Sequence, residues 1–320
     1  MKADRPAATA FHAITHVWGR EYLDLFLRLC VPNQLAPGNV PALPAGSRYR
    51  ILTASEHVEE LETHEMIQAL RAVIPVDVVV VEAIDRQKGQ PLGQDLMIAC
   101  HQRALDDAEQ ANAAIIMLSA DFIFSHRALA AVVQRHREGY RAVLNTGLRL
   151  AKEPFLESLD DSRPDLRALS SRELVRMGLP HLHPEIRSMF IDAPRFMAAP
   201  FAVYWPVGNE GLVARCFQLH PLMVDPMVRK TLKGTNDGHF VSRVCPDHAK
   251  VHIVTDSDEL QMFELTTLAR KAGTSDGGVS LLRCAMMADE RDALQLSYWT
   301  QRNICLHTGE LDRQIGRAHV

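Results

Sequence analysis

Ala113-Ala114-Ile115-Ile116-Met117-Leu118-Ser119-Ala120-Asp121 decides how this chain is read. Six apolar residues bounded by polar ones form a short continuous run of the kind that a strand covered on both faces shows. The run halts at Ser119-Ala120-Asp121, so a carboxylate stands where a strand ends. In open α/β sheets, ligands bind outside the carboxyl ends of strands. Asp121 is therefore a candidate ligand residue, and a carboxylate there suits Mg²⁺ or Mn²⁺, hard ions that bind substrate phosphates alongside. The competing reading is that Asp121 only caps the next turn.

Working outward, a helix is expected over residues 96–111, carrying Arg103, and further helices over 20–29, 57–73 and 128–137. In the first of these, Tyr22, Leu25, Phe26 and Leu29 recur at helical spacing, and a loop rich in proline (Pro32, Pro37, Pro41, Pro44) follows. Strands are expected over 11–17, 49–53, 76–81 and 141–146. Strands alternating with helices imply βαβ units, hence an α/β fold with a mixed, mostly parallel sheet flanked by helices. The second half differs. Residues 154–206 hold many prolines, short strands are expected at 212–219 and 251–255, and residues 280–303 read as a helical tail. The expected division is a Rossmann-like ligand-binding half (1–150), a second half (151–279) and a C-terminal helical tail (280–314). Ile315-Gly316-Arg317-Ala318-His319-Val320 matches a reading frame of a common sequencing adapter. Residues 315–320 are accordingly expected to be non-native and take no part in the reading of function.

Composition narrows the function classes. The chain has 320 residues, 47% of them apolar, and 35 basic against 39 acidic side chains, for a net charge of −4. That balance argues against a general nucleic-acid binder. Six cysteines form no Cys-x-x-Cys pair and read as small buried hydrophobes, so the expectation is a reduced, cytoplasmic protein. No apolar segment marks a leader within residues 1–10, and no run approaches the roughly 20 residues of a membrane span. Gly-x-Gly-x-x-Gly, the phosphate-binding Gly-x4-Gly-Lys-Ser/Thr loop, His-Glu-x-x-His and Gly-x-Ser-x-Gly are all absent, which weakens hydride transfer, P-loop chemistry, zinc proteolysis and α/β-hydrolase chemistry.

Several residues remain as candidates. Asp256-Ser257-Asp258 is a literal Asp-x-Asp after an apolar run, which reads either as a divalent-ion site or as an Asx turn. His181 and His183 share a short segment, with no third ligand beside them to make a zinc site. His220 ends an apolar run and reads as a metal ligand or a core histidine. Asp237 lies in Gly234-Thr235-Asn236-Asp237-Gly238, a polar loop whose glycines allow close approach to a ligand. Trp18 and Tyr22 could stack on a base or sugar, or equally pack the core.

The segment from Arg103-Ala104 through Ala113 to Asp121 resembles the donor site of GT-A-fold glycosyltransferases of the family 2 type. Trp18-Gly19-Arg20-Glu21-Tyr22, Pro37-Gly38-Asn39, Phe217-Gln218-Leu219-His220-Pro221-Leu222 and Asp237-Gly238-His239-Phe240 look like segments of a bacterial subgroup of such proteins. The resemblance covers most of the chain. It implies a nucleotide-sugar donor held by Thr53, Glu82, Arg103 and Asp121, with a divalent cation (Mn²⁺ or Mg²⁺) on Asp121 and His220. It further implies a glycan or other hydroxyl acceptor, such as a surface polysaccharide, and Asp237 as the base that deprotonates it. Asp121 and Asp237 are then expected to line one pocket. Ser119 departs from the pattern by replacing the first acid of Asp-x-Asp. It supports a second reading, a GT-A-like binding or scaffold module without catalysis. A third is a metal-dependent hydrolase built on His181, His183 and Asp256.

Overall fold

The computed structural model describes residues 6–82, 94–162, 164–165, 167–229, 231–232, 238–271, 273–280, 282–286 and 302–310. Among these the strands are β1 (Ala10–Val17), β2 (Arg48–Thr53), β3 (Val76–Val80), β4 (Ala113–Met117), β5 (Phe122–Phe124), β6 (Ala142–Asn145), β7 (Leu148–Ala151), β8 (Ala202–Val207), β9 (Gly211–Cys216), β10 (His220–Val224), β11 (Val251–Ile253), β12 (Met262–Thr266) and β13 (Ile304–His307). Seven of them make one sheet in the order β11-β6-β10-β4-β1-β2-β3. β1 pairs in parallel with both β2 and β4, β2 pairs in parallel with β3, and β10 runs antiparallel to β4. The expected α/β class, a mostly parallel sheet flanked by helices, is what the chain adopts.

The chain divides into two compact units interleaved in sequence. The first comprises Met1–Phe122, Leu129–Leu144 and Pro221–His252; the second comprises Ile123–Ala128, Asn145–His220 and Ile253–Val320.

The first unit is built on the seven-stranded sheet. All five residues of β4 are buried, as its unbroken apolar run requires of a strand covered on both faces. The helix Gln94–Gln110 packs on β1 and β4. Inside this layer a hydroxyl pair and an amide are linked. The Tyr49 hydroxyl donates to Gln34 Oε1 at 2.7 Å and lies 2.7 Å from Thr15 Oγ1. At the far side of the sheet, the carboxylate of Asp225 is fully buried. It accepts from the Ala8 N–H at 2.9 Å and Arg141 Nη2 at 3.1 Å, and lies 2.9 Å from His136 Nε2. Burial alone would raise the Asp225 carboxyl, but His136, the Ala8 N–H and Arg141 together hold it below the usual carboxylate range.

Two first-unit helices differ from expectation. Helix 20–29 was expected to end before Pro32. It instead continues through a π turn, Phe26–Cys30, into Val31–Gln34, and Val31 N–H reaches back to the Phe26 carbonyl. A wider turn places Pro32 in the first turn of the next segment, where its missing N–H costs nothing. The single helix expected over 57–73 is broken at His64, whose extended backbone and Nδ1, accepting from Met66 N–H at 3.2 Å, cap a second helix, Glu65–Arg71.

The second unit contains two three-stranded sheets, β5-β12-β7 and the antiparallel β13-β9-β8. β12 runs parallel to β7, and Arg149 on β7 is clamped by Glu185 at 2.8 Å and Glu264 at 3.0 Å. Gly211 is required where β9 meets β13, since a β-carbon there would run into the Leu306 carbonyl oxygen. Within the stretch 280–314 expected as helical, Ile304–His307 is a strand, while residues 287–301 and 311–320 lie outside the described residues.

Asp225→Asn should leave Arg141 buried against an uncharged group and destabilise the protein by about 3–5 kcal/mol at neutral pH in urea unfolding. Because the folded-state pKa is lowered, the stabilisation is present above the unfolded value and vanishes as pH falls through the folded one. The gap between wild type and variant should therefore narrow below about pH 4. A pH-independent gap would show that the Asp225 charge is not its source.

Candidate functional site

The sheet order marks a place for a ligand in the first unit. From β1 the chain steps outward through β2 to β3, and the helix Gln94–Gln110 then carries it back to β4 on the other side of β1. The order reverses between β1 and β4, and such a reversal opens a crevice at the carboxyl ends of the two strands. Trp18 and Gly19 follow β1 there; Leu118 to Asp121 follow β4. Gly19 has φ 78° and ψ 142°, a conformation that only glycine adopts without strain. Its N–H donates to His57 Nε2 at 3.1 Å, and its carbonyl accepts from Leu23 N–H to begin the next helix. His57 is buried and follows β2, so it pins the β1 turn from the neighbouring strand. The half-buried Trp18 ring lies 5.3 Å from that of His16, which in turn meets His101 edge-on at 5.1 Å.

Asp121 occupies the turn after β4 and is half-buried. The π turn brings the Cys30 thiol to donate to the adjacent Ala120 carbonyl at 3.1 Å. Burial first, and then the charge of Asp121, push that thiol well up, so Cys30 is a neutral donor and not a nucleophile. Thr53 ends β2, but its buried hydroxyl donates to the Val17 carbonyl at 2.7 Å, tying the ends of β1 and β2. Glu82 is exposed two residues beyond β3. Arg103 is exposed on its helix and pairs with Asp107 at 2.9 Å; Arg50 holds the same carboxylate at 2.8 Å. His220 opens β10, half-buried, and falls in the second unit, whereas Asp121 falls in the first. Asp237 lies outside the described residues, and with it the pocket expected to join it to Asp121.

His181 and His183 have structural work. His183 is buried; Nδ1 accepts from Glu185 N–H at 3.1 Å while Nε2 lies 3.1 Å from the Thr267 carbonyl, so neither nitrogen is open to an ion. His181 packs edge-on against Phe155 at 5.8 Å.

In the second unit the chain brings Asp256, Asp258 and His307 together, each offering one ligand atom, all within 4.8 Å of one another. Asp258 is exposed and doubly bonded by Arg172, whose guanidinium holds its carboxyl below the ordinary range. The Asx turn expected of this segment is present, Asp256 Oδ1 accepting from Asp258 N–H at 2.8 Å. Sequence reasoning found the two aspartates and missed His307. Before it stands the apolar stretch Ile304-Cys305-Leu306, which fits a strand or a helix alike.

Among the described residues, no helix is long and apolar enough to cross a membrane. No family model matches the chain, and no curated protein matches it. Among solved structures, the chain is similar to a Bacillus anthracis protein assigned as a glucose-1-phosphate thymidylyltransferase and solved in complex with a sucrose. The identity is 15% and the TM-score 0.29, over 46% of this chain and 57% of that one. At that level the likeness carries no argument about what this chain does.

Proposed function

We propose that this chain is a transferase that takes a sugar from a nucleotide-sugar donor, bound at the strand-order reversal of the first unit, and passes it to a glycan or other hydroxyl acceptor in the cytoplasm. The observation that carries this reading is the position of Asp121, at the carboxyl end of β4 beside the reversal between β1 and β4. The resemblance of the 103–121 segment to GT-A donor sites points the same way. One carboxylate is a poor cage for a metal but suits Mg²⁺ or Mn²⁺ that keeps waters and shares its shell with a diphosphate. Bound there, such an ion would neutralise charge on the departing nucleotide. Trp18, half-buried just after β1, would stack on a base or sugar. Glu82 and Arg103, both on the first unit's surface, would meet the nucleotide's polar edge, and Asp237 would accept the acceptor's proton. Thr53 acts here by holding the strand ends rather than by touching the nucleotide.

Ser119 in place of an acid favours a second reading, a donor-binding module without turnover. Release of free sugar from any of a panel of nucleotide sugars with Mn²⁺ rejects that reading.

Asp121→Asn keeps the side chain's shape and removes its charge. Calorimetric titration with UDP- and GDP-sugars in Mn²⁺ should show affinity falling at least about tenfold, the loss of a single charge-assisted contact. Unchanged affinity for a donor that the wild type binds would overturn the assignment. Gly19→Ala meets no neighbour within 4 Å, so its cost is backbone strain alone, about 1–3 kcal/mol in thermal or urea unfolding. The strain should also weaken donor binding, because the alanine shifts the turn that His57 pins. Full stability and affinity in this variant would show the turn to be freely remodelled.

A further inference from the structure

The cluster of Asp256, Asp258 and His307 sits in a frame made of backbone. Beyond β11 the chain runs beside β13: Cys305 N–H donates to the Thr255 carbonyl at 2.9 Å, and Ser257 N–H donates to the Cys305 carbonyl at 2.9 Å. The buried Ser257 hydroxyl accepts from His307 N–H at 3.1 Å. On its other edge, β13 pairs with β9, His307 lying opposite Gly211. The turn and the strand end are thus fixed against each other before any side chain is considered.

His307 is buried, and its two ring nitrogens both face acceptors. Nδ1 bonds the Gly309 carbonyl oxygen, which can only accept, so Nδ1 carries a hydrogen. Nε2 lies 2.9 Å from Asp256 Oδ1 and 4.0 Å from Asp258 Oδ2. Two carboxylates thus converge on that nitrogen, Asp258 being held from its other side by Arg172. A cation bound by Nε2 would have an oxygen of each within reach. The Nε2–Oδ1 spacing is that of a hydrogen bond, and it also matches two ligand atoms at right angles on an octahedral ion with bonds of about 2.0–2.1 Å, which lie about 2.9 Å apart. The surroundings are those of a supported ligand set: an imidazole whose other nitrogen is fixed by a carbonyl, and a carboxylate oriented by a guanidinium, here Arg172 at 2.7 Å.

We propose that Asp256, Asp258 and His307 bind one divalent transition ion, Mn²⁺ or Zn²⁺, which fastens the 256–258 turn to the end of β13. One imidazole nitrogen and two carboxylate oxygens suit these ions; Ca²⁺ asks for six to eight oxygens. Water completes the shell on the side where Asp258 is exposed. The ion is distinct from the one shared between Asp121 and a donor diphosphate, and it binds without nucleotide.

The test uses the full chain, freed of metal with chelator and titrated with MnCl2 or ZnCl2 by calorimetry, with melting temperature read in parallel. The wild type should take up one equivalent and melt higher with metal. Asp256→Asn and the exposed Asp258→Asn should each weaken binding by about tenfold or more and lose the metal-induced rise in melting temperature. Asp121→Asn should bind the ion as the wild type does in the absence of nucleotide. Absence of saturable binding, or of any metal-dependent melting shift, leaves only a His307–Asp256 ion pair and overturns the proposal. So does binding that survives both Asp256→Asn and Asp258→Asn, or that is lost in Asp121→Asn.

Discussion

β1 is hydrogen-bonded to a parallel partner on each edge, and much of the first unit follows from that constraint. A strand so placed can spare no backbone donor, so it contains no proline and ends cleanly at Val17. Parallel partners cannot be joined by tight turns, so each return to the sheet spends a crossover, and the helix Gln94–Gln110 is one of them. The strands' carboxyl ends then lie along one edge, where Thr53 ties β2 to Val17 and Gly19 turns the chain under the hold of His57. The strand-order reversal between β1 and β4 is thus a by-product of how a parallel sheet is wound, and it leaves Asp121, four residues beyond β4, on the side where the strands' carboxyl ends lie.

Much of this was legible in the sequence. A strand buried on both faces writes an unbroken apolar run, as β4 does, and β1, β2, β3 and β6 were readable from their apolar and β-branched stretches. Less legible were short strands whose charged residues look exposed in sequence. Arg149 in β7 and Glu264 in β12 read as surface residues, yet they sit opposite each other in the register and bond at 3.0 Å, so each hides the other's charge. β13 was lost inside an expected helix, because four residues are too few to show either period.

The candidate sites divide along the same line. Asp121 could be found because one local feature, a carboxylate at the end of an apolar run, is enough to place it. The role of Thr53 could not, since a hydroxyl at a strand end serves a ligand or a backbone carbonyl equally well. His307 stands 51 residues from Asp256, and only the parallel course of residues 255–257 beside β13 brings them to 2.9 Å. Spacing in sequence carries no trace of such a meeting. The Asx turn at Asp256 was legible for the opposite reason: its bond spans two residues.

The interleaving of the two units bears on how the protein is made. The chain passes between them five times, after Phe122, Ala128, Leu144, His220 and His252. During synthesis, β1 to β4 leave the ribosome long before β10 and β11, which lie on the same sheet. Until Met223 and Val224 arrive, the edge of β4 that they will occupy is bare, and its five buried residues have no cover from that side. Such an edge is open to pairing with another chain. The nascent protein therefore holds a sticky intermediate for about a hundred residues of translation, the separation between β4 and β10.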